Sequence, residues 1–229
     1  MSLPTRAAPI LLALLLLHCT LSPAERLLNQ GDDLYEKGDL GNAAERYTRV
    51  LDSAPDNSRA LYGMGVVHYT RRDYRQALTF FGRAVEHASE NPAYRLQRGH
   101  TLLRLKSFDR AIEDYETVIR LDPGRVSAYY SIGIAYYNAR DYGNAVRWLK
   151  RYLDVAPRAD DREAVEQLIH SLREWSGRSD PPPSTVLRRL RANCAHRDRR
   201  IPKPCRLNGT AGQPSVGEAE VDRERSRRF

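Results

Sequence analysis

The sequence contains few of the residue patterns on which enzyme and metal chemistry depends. Of its 229 residues only three are cysteine, and no CxxC or CxxH pair supplies the spacing of a structural zinc site. Neither H-E-x-x-H nor G-x-S-x-G occurs. We therefore predict that the chain is not an enzyme and that it has no catalytic, cofactor-binding or metal-binding residues.

Long apolar runs are also absent, which excludes a multi-pass membrane protein. The longest run, residues 10–17, is far short of the roughly 20 residues that cross a bilayer as a helix. Arg6 precedes this run, and the small residues Ser22 and Ala24 follow it, as in a secretory signal peptide. We predict a signal peptide over residues 1–24 that is cleaved after Ala24. The mature protein is then exported, and is periplasmic, at the cell surface or secreted.

Cys19 leaves an alternative reading of the same segment, in which it becomes a lipidated N-terminus as in bacterial lipoproteins. The preceding residue is His18, where such signals have a small residue, so the ordinary signal peptide is favoured. Retention of the segment as a short anchor is a third reading.

Charge is balanced over most of the chain and concentrated at its end. The net charge is +8, from 37 basic and 29 acidic residues, and residues 176–229 hold 13 of the basic and only six of the acidic ones. This segment also has few large apolar residues to bury against its ordering entropy. We therefore expect a basic, largely disordered tail over residues 177–229.

Three roles for the tail remain open. It could contact an anionic membrane or cell-wall polymers, bind nucleic acid, or be a solvated extension. Nucleic acid is disfavoured because the basic cluster has no aromatic residue that would stack on bases. Cys194 and Cys205 form an even pair that could close a disulfide in an oxidising compartment.

The middle of the chain repeats with a period of 34 residues. Two series of small residues and one of large residues keep this period: Gly31, Gly65, Gly99 and Gly133; Ala43, Ala77, Ala111 and Ala145; and Tyr47, Phe81, Tyr115 and Leu149. Proline closes three of the units, at positions 55, 123 and 157. The period divides residues 25–159 into the units 24–57, 58–91, 92–125 and 126–159, the first of which overlaps the predicted signal by one residue.

Each unit predicts a helical hairpin. Two apolar patterns at helical spacing are separated by a short polar turn, such as the one at residues 71–73. The glycine and alanine of each unit are expected where the two helices cross, because a larger side chain would push the axes apart. Proline follows the second helix because it cannot continue it.

This combination of repeat length, small residues and closing proline resembles the tetratricopeptide repeat, and residues 128–137 are its best example. The resemblance implies an all-α, right-handed superhelical solenoid of four hairpins. Gln30 departs from the pattern, since a large apolar residue is usual at its position.

A stacked array needs a polar-backed cap on its last hairpin. The acidic residues Asp160 and Glu163 resemble a helix capping box, and an apolar stripe at helical spacing follows them. We predict a capping helix over residues 160–176. The alternative is an independent amphipathic helix that binds a membrane or a partner.

The resemblance also implies a concave groove lined by the first helix of each hairpin. Its aromatic and apolar wall would suit an extended peptide or an amphipathic helix. The groove residues that we select are Asp32, Tyr35, Tyr62, Tyr69, His100, Arg104, Tyr130 and Tyr137. The alternative is that these tyrosines are common to the family and only pack. If they bind, the double variant Tyr69→Ala, Tyr137→Ala should lose its partner while keeping its melting behaviour.

One class of ligand is disfavoured by the same resemblance. Cochaperone members of the family clamp a terminal carboxylate between basic and amide side chains at set groove positions. The matching residues here are Leu28, Asp32, Gly63, Ala93 and Gln97. None is a cation, and Asp32 would repel a carboxylate.

Two candidate chemical groups have simpler structural interpretations. His68 falls on a packing position and is expected to be a satisfied core or groove histidine. Glu113 and Asp114 lie near Arg110 and Arg120, where surface ion pairs are expected.

The sequence as a whole predicts an exported, non-enzymatic scaffold or adaptor that binds a protein partner. The alternative is an envelope-tethered protein, held by the basic tail or a lipid on Cys19, whose repeats mediate self-association. A third reading is an accessory subunit of a membrane transporter or secretion complex.

Overall fold

The computed structural model describes residues 21–175. That part of the chain is all-α, with nine helices and no strand, and it confirms the predicted solenoid of hairpins with a capping helix. The helices are α1 (Pro23–Glu36), α2 (Leu40–Ser53), α3 (Ser58–Thr70), α4 (Tyr74–His87), α5 (Pro92–Arg104), α6 (Phe108–Leu121), α7 (Val126–Asn138), α8 (Tyr142–Val155) and α9 (Arg162–Trp175). Residues 1–20 of the predicted signal, the tail at 177–229 and the pair Cys194 and Cys205 lie outside the described residues.

Helices α1 to α8 form four hairpins, each with a helix A (α1, α3, α5, α7) followed by a helix B (α2, α4, α6, α8). Asp39, Asp73 and Asp141 cap three of the B helices, accepting backbone N–H bonds of 3.0 to 3.3 Å. Ser107, at the same position before α6, makes no side-chain cap bond. Three of the four B helices therefore begin with the same aspartate cap, and α6 is the exception.

The glycines lie where the two helices of a hairpin cross, as predicted. Each faces the large residue 16 positions later on helix B, and a methyl group at Gly99 would lie only 2.6 Å from Cε1 of Tyr115. Ala77 and Ala111 on the B helices are fully buried at the same crossings. These small residues let the helices approach closely enough to enclose the aromatic rings.

Successive hairpins stack mainly with helix B of one against helix A of the next, and their A helices also touch one another. The Tyr35 and Thr70 hydroxyls are 3.1 Å apart between α1 and α3, and Tyr62 stacks on Tyr94 between α3 and α5 at 4.8 Å. Among the described residues the B helices of neighbouring hairpins make no comparable contact. The A helices are therefore the inner row of a curved array, and the B helices are the outer row.

The capping helix α9 packs on the last hairpin. Its apolar stripe, which includes Val165 and Leu172, joins Leu149 and Tyr152 of α8 in one buried cluster. The helix begins at Arg162, two residues later than predicted. Asp161, directly before it, accepts a 2.6 Å hydrogen bond from the Tyr152 hydroxyl.

The first helix has a complete capping box. The Ser22 hydroxyl accepts from the backbone N–H of Glu25, and the Glu25 carboxylate accepts from the backbone N–H of Ser22. The predicted cleavage after Ala24 would remove this cap together with Pro23. No helix in the described range is long and apolar enough to span a membrane.

Candidate partner-binding surface

The inner surface of the array is formed by the A helices, which carry the eight predicted groove residues. Five of these are buried and form the floor of the groove: Asp32, Tyr62, Tyr69, Tyr130 and Tyr137. The other three are more accessible. Tyr35 and His100 are half-buried, and Arg104 is exposed.

A row of exposed polar residues lies along this surface, with one residue from each repeat. The row consists of Glu36, Thr70, Arg104 and Asn138, which are 34 residues apart. We call it the polar row. Sequence reasoning selected only Arg104 from it, although extending the 34-residue ladder from that residue would have found the other three.

Hydrogen bonds to backbone carbonyls of the preceding helical turn orient two residues of the polar row. The Thr70 hydroxyl donates to the Val66 carbonyl at 2.9 Å and lies beside the Tyr35 hydroxyl. The Asn138 amide donates to the Ile134 carbonyl at 2.8 Å. Burial raises the pKa of Tyr35 above its ordinary value, so this phenol remains a neutral hydrogen-bonding group at physiological pH.

Arg104 is positioned by aromatic rings. Its guanidinium lies 5.0 Å from the centre of the Tyr74 ring, and Tyr74 in turn meets Tyr69 edge-on at 5.3 Å. The buried Tyr69 therefore supports the exposed cation through Tyr74. Leu103 beside it is half-buried and adds apolar surface.

Asp32 differs from the prediction in its electrostatics. It is only 2% exposed, and its carboxylate accepts hydrogen bonds from Arg59 and, at 2.8 Å, from the Tyr47 hydroxyl. Burial raises the pKa of Asp32, against the lowering effect of these two donors. The prediction that Asp32 repels a carboxylate in the groove is wrong, because the Arg59 guanidinium pairs with its charge beneath the surface.

Histidines on the A helices are packed groups. His68 stacks on Phe80 at 5.2 Å and lies 3.3 Å from the Asp73 carboxylate, which agrees with its interpretation as a satisfied histidine. His100 lies 3.3 Å from the Ser131 hydroxyl of the next A helix. His100 thus contributes to the stacking of repeats as well as to the groove wall.

The interpretation of Asp114 as a surface ion-pairing residue is wrong. It is 4% exposed and accepts two bonds from Arg98, at 2.8 and 2.6 Å, while Arg95 lies 3.6 Å away. The bonds to Asp114 raise the pKa of Arg98.

In the fourth repeat the residues equivalent to Arg95 and Asp114 are Tyr129 and Trp148, whose rings are 6.3 Å apart. Ionic groups therefore replace an aromatic contact inside the third hairpin.

Between residues 21 and 175 no group of three or more His, Cys, Asp or Glu side chains is placed to hold a metal ion. The features of this surface are a groove floor of packed aromatics and a row of exposed polar side chains. Such a surface fits the class of solenoid scaffolds.

Comparison with known proteins identifies the family. Two family models described as tetratricopeptide repeats match residues 28–92 and 96–170. The chain belongs to the tetratricopeptide-repeat family.

Related proteins are longer than the matched region. The Protein CTR9 homolog of Arabidopsis thaliana is 34% identical over 115 residues, which are 50% of this chain and 10% of that protein. DnaJ homolog subfamily C member 3 of Gallus gallus is 27% identical over 170 residues, covering 65% of this chain and 34% of that protein. The chain therefore spans between a tenth and a third of the length of these relatives.

Solved structures share the fold. A crystal structure of MamA protein has a TM-score of 0.61 at 16% identity and covers 83% of this chain and 98% of its own. MamA 41-end from Desulfovibrio magneticus RS-1 also has a TM-score of 0.61, at 17% identity, and covers 79% and 98%. Tetratricopeptide repeats indicate a protein–protein interaction scaffold, and the family is generally non-enzymatic.

Proposed function

We propose that this chain is an exported, non-enzymatic adaptor that holds an extended peptide or a helix of a protein partner in its concave groove. The observation that carries the proposal is the polar row at 34-residue spacing, flanked by the half-buried Tyr35 and Leu103. Apolar surface and polar groups at a regular interval are what a linear ligand requires.

The four side chains of the polar row differ chemically, so the two ends of the groove are distinct and a bound peptide would have a preferred orientation. From the first repeat to the fourth it presents a carboxylate, a hydroxyl, a guanidinium and an amide. A peptide with a basic residue near the first repeat and an acidic one near the third matches this order. Amide and hydroxyl groups between and beyond them are suited to main-chain hydrogen bonds.

Export is the second part of the proposal and is based on the sequence. Arg6, the apolar run at 10–17 and the small residues up to Ala24 form a leader of the secretory type. The adaptor would then act in the periplasm, at the cell surface or in the secreted fraction.

The burial of Tyr69 and Tyr137 means that other substitutions are needed to test the groove. Tyr69 and Tyr137 are only 8% and 7% exposed, and they pack against Tyr74 and Tyr142. Truncating them would open cavities, so the expectation that their double alanine variant keeps its melting behaviour is wrong. Tyr35→Ala with Arg104→Ala changes the accessible surface with less loss of packing.

The experiment is quantitative recovery of proteins that co-purify with the tagged full chain from its native cells. The matched control is Arg147→Ala with Lys150→Ala, two exposed cations on the outer helix α8. We expect the Tyr35, Arg104 variant to lose its stoichiometric partner and the control to retain it. Equal retention by both variants would contradict groove binding.

A further inference from the structure

The four turns that join helix A to helix B lie in a row along one edge of the solenoid. The first and second turns follow Tyr35 and Thr70, whose hydroxyls are in contact. The second and third are linked by Arg104, which lies over the Tyr74 ring. The third and fourth line a common cavity.

This edge is rich in basic side chains, and we call it the basic edge. Its cations are Lys37, Arg71, Arg72, Arg75, Lys106, Arg110 and Arg140, all of which are exposed. Within the described residues none of them takes part in an ion pair.

The acidic residues of the basic edge do not cancel this charge. The acids beside these turns are Glu36, Asp39, Asp73, Asp109 and Asp141, fewer than the seven cations. Three of them, Asp39, Asp73 and Asp141, cap B helices. The described residues as a whole contain as many acidic as basic side chains. The positive charge of the edge is therefore a local excess in a domain that is neutral overall.

The backbone supports a role for these cations beyond solubility. Arg72, Lys106 and Arg140 occupy the same turn position with φ of 64°, 61° and 65°, and they are the only non-glycine residues with positive φ in the described chain. The first repeat has Gly38 there, with φ of 80°. Glycine adopts this conformation without steric cost, whereas a basic side chain does not. Such strain points to a functional reason for keeping a cation at this position.

Three of these cations come together between the third and fourth turns. An open cavity of about 490 Å³ is lined there by Lys106, Arg110 and Arg140, with Asp109 as its acidic member. This is also the turn in which Ser107 replaces the capping aspartate of the other three. The half-buried Phe108 supplies apolar surface beside the cations.

We propose that the basic edge binds an extended acidic polypeptide segment of a partner protein. A polypeptide can place its carboxylates against the cations and avoid the four aspartates, whereas a nucleic acid backbone carries negative charge at every step. The Tyr74 ring is covered by Arg104, Tyr142 is buried and Phe108 is half-buried, so these aromatics offer no row of open rings on which successive bases could stack. A flat anionic membrane would meet only part of the edge, because successive repeats rotate about the superhelix. This surface borders the groove at Asn138, a member of the polar row that also lines the cavity. Its seven cations lie outside the polar row, so the proposal does not depend on the proposed function.

The test measures fluorescence anisotropy of a labelled peptide of Glu, Asp and Gly residues bound to the full chain. The variant Lys106→Glu, Arg110→Glu, Arg140→Glu should bind about tenfold more weakly at low salt. The matched control is Arg49→Glu, Arg147→Glu, Lys150→Glu, which makes the same change in net charge on exposed positions of the outer helices. Because both variants keep the basic tail, equal weakening in the two would overturn the proposal.

A second variant separates binding from stability. Arg72→Gly, Lys106→Gly, Arg140→Gly removes three cations and relieves the positive φ, so it should bind the peptide more weakly while melting at no lower temperature than the wild-type chain. Unchanged peptide binding would overturn the proposal. The proposal would also be overturned if the variant bound phosphatidylserine vesicles, or a single-stranded oligonucleotide, more weakly than the wild-type chain but bound the peptide equally well. Tyr35→Ala, which changes the groove without removing a cation, tests the groove in the same assay.

Discussion

At the scale of single residues, Tyr47 links the first two repeats. Its ring lies between Gly31 and Gly63, where added methyl groups would each come within 2.6 Å of ring atoms. Its hydroxyl donates to the buried Asp32. One side chain thus fills the first hairpin, meets the second and satisfies a buried carboxylate.

Tyr47→Phe should lower the free energy of unfolding at neutral pH by about 1.5 to 3 kcal/mol, because the Asp32 carboxylate loses a donor. Burial raises the pKa of Tyr47, and the Asp32 charge adds to that rise. The folded chain therefore keeps this proton above pH 10.0, the ordinary value at which the unfolded chain loses it. The stability due to the phenol is complete below that pH and falls as the pH rises through and above it.

Urea unfolding at pH 7 and near pH 11 checks this prediction. The difference between wild type and Tyr47→Phe should shrink at the higher pH, since the other tyrosines titrate alike in both chains. A difference that stays constant or grows would contradict the assigned hydrogen bond.

The ionic cluster of the third hairpin gives a second prediction at this scale. Asp114→Ala leaves the half-buried Arg98 without its bidentate partner and should cost about 1.5 to 3 kcal/mol of unfolding free energy. Replacing Arg95, Arg98 and Asp114 by the fourth repeat's Tyr, Ile and Trp should restore most of that loss, because an apolar contact at this place is already compatible with the fold. Chemical denaturation measures both. A triple variant less stable than Asp114→Ala would show that the two hairpins are not interchangeable here.

Sequence analysis could have identified this ionic cluster but did not. Gly99 faces Tyr115, and Arg98 faces Asp114, at the same separation of 16 residues. The crossing register of the hairpin was therefore readable once the glycine and aromatic ladders were found. Asp32 is harder to predict, because its partner Arg59 belongs to the next repeat and the pair depends on how hairpins stack.

At the scale of helices, α9 protects the apolar side of the last hairpin. Leu172 is fully buried in the cluster that α9 shares with α8. Leu172→Ala should cost about 2 to 5 kcal/mol of unfolding free energy. The control Glu166→Ala, which removes an exposed i,i+4 pair with Arg162, should cost less than about 1 kcal/mol. Thermal melts of both variants provide the comparison, and similar losses would contradict the capping role of α9.

The start of α1 gives a prediction that joins folding to export. A chain that begins at Glu25 lacks the Ser22 cap and should be about 1 kcal/mol less stable than one that begins at Leu21. An α-ammonium group at the helix N-terminus adds to the loss. Calorimetry of the two chains measures the effect, and equal melting temperatures would contradict a stabilising capping box. The predicted mature start at Glu25 can be checked by intact mass of the exported protein.

Helix positions were more predictable than helix ends. The 34-residue period fixes which residues face each other inside a hairpin, because a small residue on one helix must face a large residue on the other where the two helices cross. The start of α9 at Arg162 was not predictable from the acidic run at 160–163, since it depends on how α8 packs there: the Tyr152 hydroxyl, on the preceding helix, donates to Asp161.

At the scale of the whole molecule, packing between helices decides which side chains are accessible. Tyr69, Tyr130 and Tyr137 pack against Tyr74, Tyr152 and Tyr142 on helix B of their own hairpins, and Tyr62 stacks on Tyr94 of the next A helix. These contacts bury four of the five tyrosines that the sequence assigned to the groove, and the 34-residue period alone does not specify them. What remains at the surface is the polar row on the inside and the basic edge beside it.

The most direct test of the central claim, that the concave surface holds the partner, is site-specific photo-crosslinking in the native cells. A photoreactive phenylalanine analogue would replace Tyr35 or Leu103 on the inner helices, and Arg147 or Lys150 on the outer helix α8. We predict that one partner protein crosslinks from both inner positions and from neither outer position. Crosslinking from the outer positions alone would contradict the account.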